Sequence, residues 1–258
     1  MFKKILLVLI PFGVLAAQEP ASAPEAGPLS DERVAELTKS FQKSLDESSQ
    51  TVEKNPTSLK GYSQRGDALF FLGRFKDAVK DYDKMIELDE KELASHWRRG
   101  IALFYAGRFK DAAAQFESYH SFDQIDRENG IWRYLSQHQA DGRAKAREGL
   151  LKYQKDDREP FPAVYKLFAG TITPDQILNQ IAEADISKAE REKRLFYAHL
   201  YIGLNHAVEG EDELARKHLV SATQNTWGPI AGYGPNYMWH VGRLHEVQLR
   251  KKDKKKVE

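Results

Sequence analysis

The eight histidines of this chain are its clearest candidates for metal chemistry, but their spacing argues against a metal site. His199 and His206 are seven residues apart, which on a helix is about 10 Å along one face, too far for two ligands of one ion. His240 and His245 point in different directions around a helix, and Glu246 is not followed by the second histidine of a zinc-protease motif. The chain has no cysteine, so it has no disulfide or thiolate site. The sequence therefore predicts neither a metal nor another cofactor.

Nucleophilic and acid–base chemistry also lack a recognisable motif. No serine lies in a G-x-S-x-G elbow, and no G-x-x-x-x-G-K-S/T loop is present. The adjacent carboxylates Asp156 and Asp157, and those at 211–213, are expected in loops or at helix starts, where they face water or complement the helix dipole. We predict no catalytic residue and a protein that is not an enzyme. A hydrolase whose site has no motif is the alternative.

Composition and charge narrow the class of protein further. The 258 residues are 41% apolar and 30% charged, which is enough for one or two folded bodies. Lys and Arg number 39 against 38 Asp and Glu, so no excess of positive charge indicates nucleic-acid binding. Only residues 251–258 form a basic tail. Such tails are usually solvated and disordered, and the alternative is contact with an anionic surface.

The first 17 residues have the pattern of a secretory signal peptide. Lys3 and Lys4 precede an apolar run over residues 5–17 that ends in small side chains. The run is too short to cross a bilayer, which takes about 20 residues, so an uncleaved anchor is the less favoured alternative. Cleavage after Ala16 or after Ala17 fits the pattern. Residues 18–29 then form a flexible linker, and we expect an exported protein, periplasmic or secreted, without a transmembrane span.

An internal repeat predicts the fold. Residues 66–82 and 100–116 share ten identities in 17 positions at an offset of 34 residues. This period and its small residues resemble the tetratricopeptide repeat (TPR), a pair of antiparallel helices. The small positions of each copy are Gly66 with Ala78, Gly100 with Ala112, and Gly203 with Ala215 in a third copy. Because helices approach closely only where side chains are small, we expect each glycine to face its alanine. The resemblance implies an all-α fold, with helical hairpins stacked in a right-handed superhelix.

The remaining boundaries follow from caps and breakers. Glycines 73, 107 and 210 should end first helices in the left-handed conformation, and Ser30, Thr173 and Ser187 are expected N-caps. The repeat domain then covers residues 30–250, with clear repeats at 59–92, 93–126 and 196–229, degenerate helix pairs at 127–195, and a closing helix at 236–250. Further expectations are a first helix over 31–52, a helical run over 143–154, a kink at 156–162 and a Gly/Pro loop at 227–235.

The order of these elements resembles one family in particular. The segments Arg99-Gly-Ile-Ala-Leu-Phe-Tyr-Ala-Gly-Arg108, Trp132-x-Tyr-Leu135, Phe168-Ala-Gly-x-Ile172 and Phe196-Tyr-x3-Tyr-x-Gly203 are similar to those of the NlpI-type bacterial envelope TPR lipoproteins. That resemblance implies a homodimeric, periplasm-facing adaptor that brings a protease and peptidoglycan hydrolases together without chemistry of its own. The lipidated cysteine of that family has no counterpart in this chain.

The first helix of each TPR hairpin lines the concave side, and its outward positions here are mostly aromatic. The predicted partner-binding groove consists of Phe70, Phe71, Trp97, Ile101, Phe104 and Tyr105. Trp97 and Tyr105 are expected to be exposed, whereas Phe70 and Phe104 have packing on a neighbouring hairpin as an equal alternative. Such a groove predicts apolar capture of a protein or peptide segment from the cell envelope.

The sequence thus predicts a non-catalytic adaptor or scaffold of the cell envelope. The alternative is a structural component that self-associates into an envelope assembly, with the groove empty. Arg65, beside the glycine of the first repeat, is expected to form an ion pair with Asp81 inside the stack; a functional role for this arginine is the other reading.

Overall fold

The computed structural model describes residues 27–257, with side chains as far as Lys252, and this part of the chain is all-helical. It contains thirteen α-helices, one short 3₁₀ helix and no strand. The predicted all-α class is confirmed. The predicted signal peptide and residues 18–26 of the predicted linker lie outside the described residues. No helix in the described range is long and apolar enough to cross a membrane.

The helices follow one another with short connections, apart from one long segment between α8 and α9. In chain order they are α1 (Asp31–Lys54), α2 (Leu59–Phe71), α3 (Phe75–Leu88), α4 (Glu92–Ser95), α5 (Trp97–Tyr105), α6 (Phe109–Phe122), α7 (Arg127–Asp141), α8 (Arg143–Glu148), α9 (Phe161–Ala169), α10 (Pro174–Glu183), α11 (Lys188–Val208), α12 (Asp212–Gln224), the 3₁₀ turn Gly228–Ile230, and α13 (Tyr233–Val257).

Capping side chains begin several helices where the sequence predicted them. The hydroxyl of Ser30 accepts a hydrogen bond from the backbone of α1, and Ser187 does the same for α11. Thr173 and Gln176 form a reciprocal capping box. Gly73 and Gly107, with φ near 77° and 78°, end α2 and α5, as expected for residues that must adopt a left-handed conformation.

Two of the predicted helices have wrong boundaries. The run expected to reach residue 154 ends at Glu148, because Gly149 follows and glycine is a poor helix former. The closing helix begins at Tyr233, three residues early, and continues to Val257 instead of ending at 250. The basic segment 251–257 is therefore part of a helix and not a disordered tail.

The two clear repeats form antiparallel helix pairs, α2 with α3 and α5 with α6. In the first pair, Arg65 bonds to Asp81 and the Phe70 ring lies 5.2 Å from the Phe75 ring, so residue numbers rise along α2 as they fall along α3. The predicted ion pair between Arg65 and Asp81 is confirmed, with two hydrogen bonds of 2.8 and 2.6 Å.

The two glycines of the clear repeats lie against aromatic rings. A Cβ on Gly66 would lie 2.6 Å from the Tyr82 ring, and one on Gly100 would lie 2.5 Å from the Phe116 ring. Each of these glycines therefore accommodates an aromatic ring, and its facing the alanine as well stays a prediction. A ring is long enough to reach across the pair at that level. Ala78, Ala112 and Ala215 are fully buried, and Gly203 meets Leu219 and the Ala215 carbonyl in the third copy.

A series of arginines shows that the repeat continues beyond the two clear copies. Arg65, Arg99 and Arg133 are spaced 34 residues apart, and each bonds to groups 16 positions away. The partners are Asp81 for Arg65, Asp83 and Gln115 for Arg99, and Glu117 and the Gly149 carbonyl for Arg133. Residues 127–149 thus repeat the contacts of the first two pairs although their sequence has diverged.

The helices stack side by side, and the last helix returns to the first ones. Helix α3 packs on α5, α5 and α6 on α7, α7 on α9, and α9 on α11. Helix α13 packs on α12 and also reaches α2, where the Arg243 guanidinium donates to the Phe71 carbonyl. The C-terminal helix therefore covers one face of the helix stack, which we call the inner face.

We predict that Gly100→Ala lowers the free energy of unfolding by about 1–3 kcal/mol, because the new methyl group overlaps the buried Phe116 ring. Urea denaturation measures the change. Adding Phe116→Leu should recover part of the loss, since leucine is shorter than the ring. Gly234→Ala is the matched control, because a Cβ there meets nothing within 4 Å and the residue lies in a helix. An unchanged midpoint for Gly100→Ala would contradict the ring-on-glycine packing.

Candidate functional site

Most of the groove predicted from the sequence is covered by α13. Phe70, Phe71 and Phe104 are buried, as the packing alternative had it for Phe70 and Phe104. The sequence also places Phe71 at an outward position of its helix, and that expectation is wrong because its side chain is buried. Tyr105, expected to be exposed, is only partly so, and its hydroxyl lies 3.0 Å from His245 Nδ1 of α13. Phe70, Phe71 and Tyr105 therefore contact the C-terminal helix, whereas Phe104 packs on Phe109 and Trp132. Partner binding by these four residues stays a prediction.

Aromatic contacts hold α13 in this position. The Tyr237 ring stacks on Phe70 at 5.1 Å and lies 4.9 Å from both Phe71 and Trp97. His240 lies 4.6 Å from Phe71. Rings on the inner side of α2 and α5 thus bind a helix of the same chain, where the sequence predicted a helix or segment from another protein.

Beside this covered surface lies a cavity of about 390 Å³, which we call the inner cavity. Trp97 and Ile101 of the predicted groove line it, although Ile101 is almost fully buried. Its walls come from α5, α6, α7, α11, α13 and three loops. The other lining residues are Phe116, Tyr119, Asp126, Glu128, Asn129, Trp132, Arg158, Lys193, Tyr197, Trp227, Gly234, Pro235 and Met238.

Helical spacing directs the side chains of each wall into the same space. Trp97 and Ile101 are four residues apart on α5, and Lys193 and Tyr197 are four apart on α11, so each pair shares a helix face. The inner cavity contains three of the four tryptophans of the chain, at 97, 132 and 227. Its wall is therefore largely aromatic.

One side of the inner cavity is charged. Three carboxylates surround the Arg158 guanidinium, at 2.6 Å for Glu128, 3.2 Å for Asp157 and 3.7 Å for Asp126. The Tyr201 hydroxyl donates to the second oxygen of Glu128. The guanidinium also lies 4.3 Å from the centre of the Phe161 ring, a cation–π contact. Arg158 is thus fixed by charge and by aromatic contact together.

Asp156 and Asp157 lie in the α8–α9 loop as expected: Asp156 faces water, and Asp157 lies at the N-terminus of helix α7. Asp156 is 96% exposed, whereas the Asp157 side chain is 5% exposed. Asp157 accepts hydrogen bonds from the backbone N–H of Arg127 and of Arg158. The predicted kink at 156–162 therefore turns a carboxylate inward and helps to place Arg158.

Burial and the charges of neighbouring groups change the pKa values of Asp126, Glu128 and Arg158. Burial raises the pKa of Asp126 to about 7, and the nearby negative charge of Glu128 adds to the effect. Burial also raises the pKa of Glu128, while Arg158 opposes the increase. Burial alone would lower the pKa of Arg158, but the three carboxylates together raise it. One guanidinium therefore does not compensate all three acids at neutral pH.

Two polar atoms of residues that line the inner cavity have no hydrogen-bond partner among the described residues. Asn129 Oδ1 and Trp132 Nε1 are buried, in residues that are only 3% and 2% exposed. Both atoms lie behind the cavity surface, so a bound group reaches neither of them unless the wall moves. The Asp126 carboxylate does line the cavity, and its Oδ1 accepts a hydrogen bond from the Glu128 backbone N–H.

Sequence reasoning missed most of this site. Asp126, Glu128 and Asn129 lie within four residues at the start of α7, a polar cluster directly before Trp132. Arg158 and Trp227 lie in loops, where no repeat register predicts their neighbours. The concentration of tryptophan outside the repeat core positions was the available signal.

The histidines pack against one another and against aromatic rings. His199 and His218 lie 3.0 Å apart through their Nδ1 atoms, and His206 stacks on His218. Burial lowers the pKa of His199 to about 4 and that of His218 to about 3. No group of three or more histidine or acidic side chains in residues 27–252 has the geometry of a metal site.

Comparison with known proteins adds no identification at this point: no family model matches the chain, and no curated protein matches it. The all-helical stack and the inner cavity therefore define the protein by its own structure, as a helical protein with an aromatic and acidic cavity on its inner face.

We predict that Asp126→Asn stabilises the protein at pH 8 by about 1–2 kcal/mol, because it removes an uncompensated buried charge. The folded pKa of about 7 lies above the unfolded value, so this carboxyl reduces stability as pH rises from about 4 to 7. The gain should therefore vanish near pH 4. Asparagine keeps the N-cap of α7, so the helix start is retained.

Thermal unfolding between pH 4 and pH 8 measures this effect. Asp123→Asn is the matched control, because Asp123 also caps backbone N–H groups of the same loop but does not line the inner cavity. A stability difference for Asp126→Asn that does not change with pH would contradict the assignment.

Proposed function

We propose that this protein is a non-catalytic adaptor of the TPR type that binds a segment of a partner protein in its inner cavity. The observation that carries the proposal is the inner cavity itself. Tryptophan residues at three positions line it, together with the carboxylate of Asp126 and the guanidinium of Arg158. Aromatic side chains with a few convergent polar groups are typical of binding sites.

The repeat architecture supports the TPR part of the proposal. The 34-residue period appears in the sequence, in the ring-on-glycine contacts of Gly66 and Gly100, and in the arginine series at 65, 99 and 133. Stacks of such hairpins bury a continuous core and leave one inner face for binding. A right-handed superhelix is the arrangement that this class of repeat adopts.

The location in the cell envelope rests on the N-terminal pattern and on the NlpI-type resemblance. Both support an exported adaptor that recruits an envelope protease or a peptidoglycan hydrolase. Because α13 covers Phe70, Phe71 and Tyr105, and Phe104 is buried, the partner contacts in this proposal are restricted to the inner cavity. A short segment then suffices for recognition.

Self-association into an envelope assembly is the second candidate function. It is favoured by two large apolar side chains at the α6–α7 connection, Phe122 and Ile125, which are 62% and 41% exposed. Light scattering separates the two functions, because a monomer or closed dimer supports the adaptor and open-ended growth supports the assembly. In the adaptor proposal these residues form the face of a closed dimer.

The adaptor proposal predicts that Trp97→Ala reduces capture of one specific envelope protein at least fivefold. The substitution removes one wall of the inner cavity. The mature chain is immobilised, incubated with a periplasmic extract, and the retained proteins are quantified by mass spectrometry.

Leu214→Ala is the matched control, because Leu214 is 46% exposed on α12 and does not line the inner cavity. Circular dichroism confirms that both variants are folded at the assay temperature. If all three forms retain the same proteins in equal amounts, the proposal is wrong.

Export makes a separate prediction. The full chain expressed in a Gram-negative host should be recovered from the periplasm, with a mature N-terminus at Ala17 or Gln18 by mass spectrometry. A chain lacking residues 1–17 should remain in the cytoplasm. Recovery of the full chain with its original N-terminus in the cytoplasm would contradict export.

A further inference from the structure

We propose that the inner cavity recognises a basic side chain, lysine or arginine, of the partner segment, held between tryptophan rings and the carboxylate of Asp126. This inference rests on the proposed function and specifies the chemistry of its ligand. It is carried by the charges, the carboxylate acceptor and the aromatic faces of the cavity, in that order.

The charges at the inner cavity leave one acid uncompensated. Asp126, Glu128 and Asp157 share the single guanidinium of Arg158. Lys193 also lines the cavity, but its ammonium group binds Glu190 at 3.1 Å, and Arg194 binds the same carboxylate at 3.0 Å. Four acids therefore face three basic groups when all are ionised. One positive charge from a bound ligand makes the numbers of acidic and basic groups equal.

The Asp126 carboxylate favours a donor as the bound group. It lines the inner cavity, its Oδ1 accepts the Glu128 backbone N–H, and the Arg158 guanidinium lies 3.7 Å from that same oxygen. Ammonium and guanidinium groups only donate hydrogen bonds, so they match a carboxylate acceptor.

The aromatic wall suits a cation as well. Arg158 already lies over Phe161, which shows that rings of this region stabilise a guanidinium. In the described part of the chain no lysine or arginine lies over a tryptophan ring, although tryptophan is the strongest cation–π partner. The rings of Trp97 and Trp227, which are partly exposed, are therefore available to a cation from outside, whereas Trp132 is buried against Phe116.

The size and the charge of the inner cavity argue against other classes of ligand. A cavity of about 390 Å³ is at the small end of ligand sites, so it admits a side chain with its flanking backbone and not a folded domain. An acidic side chain would add to the uncompensated negative charge. A neutral sugar would use the rings but leave the acid excess in place.

The experiment compares acetylated and amidated pentapeptides Ala-Leu-X-Leu-Ala, with X as lysine, arginine, norleucine or glutamate. Binding to the mature chain is measured by tryptophan fluorescence and by calorimetry at pH 8. The lysine and arginine peptides should bind at least tenfold more tightly than the norleucine peptide, which has the same apolar length without the charge. The glutamate peptide should bind more weakly still.

Two variants test whether Asp126 makes the contact with the charged side chain. Asp126→Asn should weaken binding of the lysine peptide about tenfold and leave the norleucine peptide unchanged, because only the charged contact is removed. Asp123→Asn is the control and should alter neither affinity. Equal loss for both peptides in Asp126→Asn would show a structural role for Asp126 and overturn the inference.

The pH dependence provides an independent readout. A bound cation favours ionised Asp126, so affinity for the lysine peptide should fall several-fold from pH 8 to pH 6 in the native protein and stay constant in Asp126→Asn. The other titratable groups facing Asp126 are Tyr119 of α6, Asp123 of the preceding loop, Glu128 of α7, Tyr153, Asp157 and Arg158 of the α8–α9 loop, and Lys193, Tyr197 and Tyr201 of α11.

The outcomes separate this inference from the proposed function. Equal binding of the lysine and norleucine peptides would overturn cation recognition while supporting an adaptor with an apolar site. Binding of a trimer of N-acetylglucosamine, with no peptide bound at 5 mM, would overturn both. Absence of binding by every probe at that concentration would overturn the cation inference and leave the capture experiment to decide the adaptor function.

Discussion

An amphipathic helix pair cannot exist alone in water, because the face that it does not use internally remains apolar, and the whole structure depends on covering that face. Within each clear pair, a glycine admits the ring of Tyr82 or Phe116, and this contact sets the distance between the helices. Between pairs, each hairpin packs on the next. The inner face of the first pairs has no further hairpin to cover it. It is covered by α13, and the Arg243 hydrogen bond to the Phe71 carbonyl ties that helix in place.

The inner cavity follows from the way in which α13 crosses the stack. The helix fills the space in front of Phe70 and Phe71 through Tyr237, and its first turns, at Gly234 and Met238, pass along the edge of the cavity instead of filling it. The residues in front of the cavity are large rings that already pack on one another, as Phe116 does on Trp132. A space bounded by stiff aromatic side chains does not collapse, since rings have few alternative rotamers.

The acidic cluster of Asp126, Glu128 and Asp157 costs free energy to bury when the chain folds, and it lies beside the inner cavity. Burying several carboxylates beside a single guanidinium raises the pKa of Asp126 and Glu128, which means that the folded state is destabilised when both are ionised. Tyr201 and the backbone N–H of Arg127 offset part of this cost by hydrogen bonding. Shifted carboxyl groups in an aromatic cavity are the usual property of a binding or reacting site, which is why the proposed function and its ligand chemistry are assigned here.

The sequence by itself determined the features that depend on contacts within about 34 residues. The caps at Ser30 and Thr173, the glycine turns and the Arg65–Asp81 pair were all predictable, because helical periodicity and loop length fix which residues meet inside one hairpin. Only the tertiary structure decided what covers the inner face. Tyr237 lies more than 160 residues from Phe70, and Arg158 meets Glu128 across a long loop, so no local period relates them. A sequence pattern shows which face of a helix is apolar, whereas the partner of that face is selected by the packing of the whole chain.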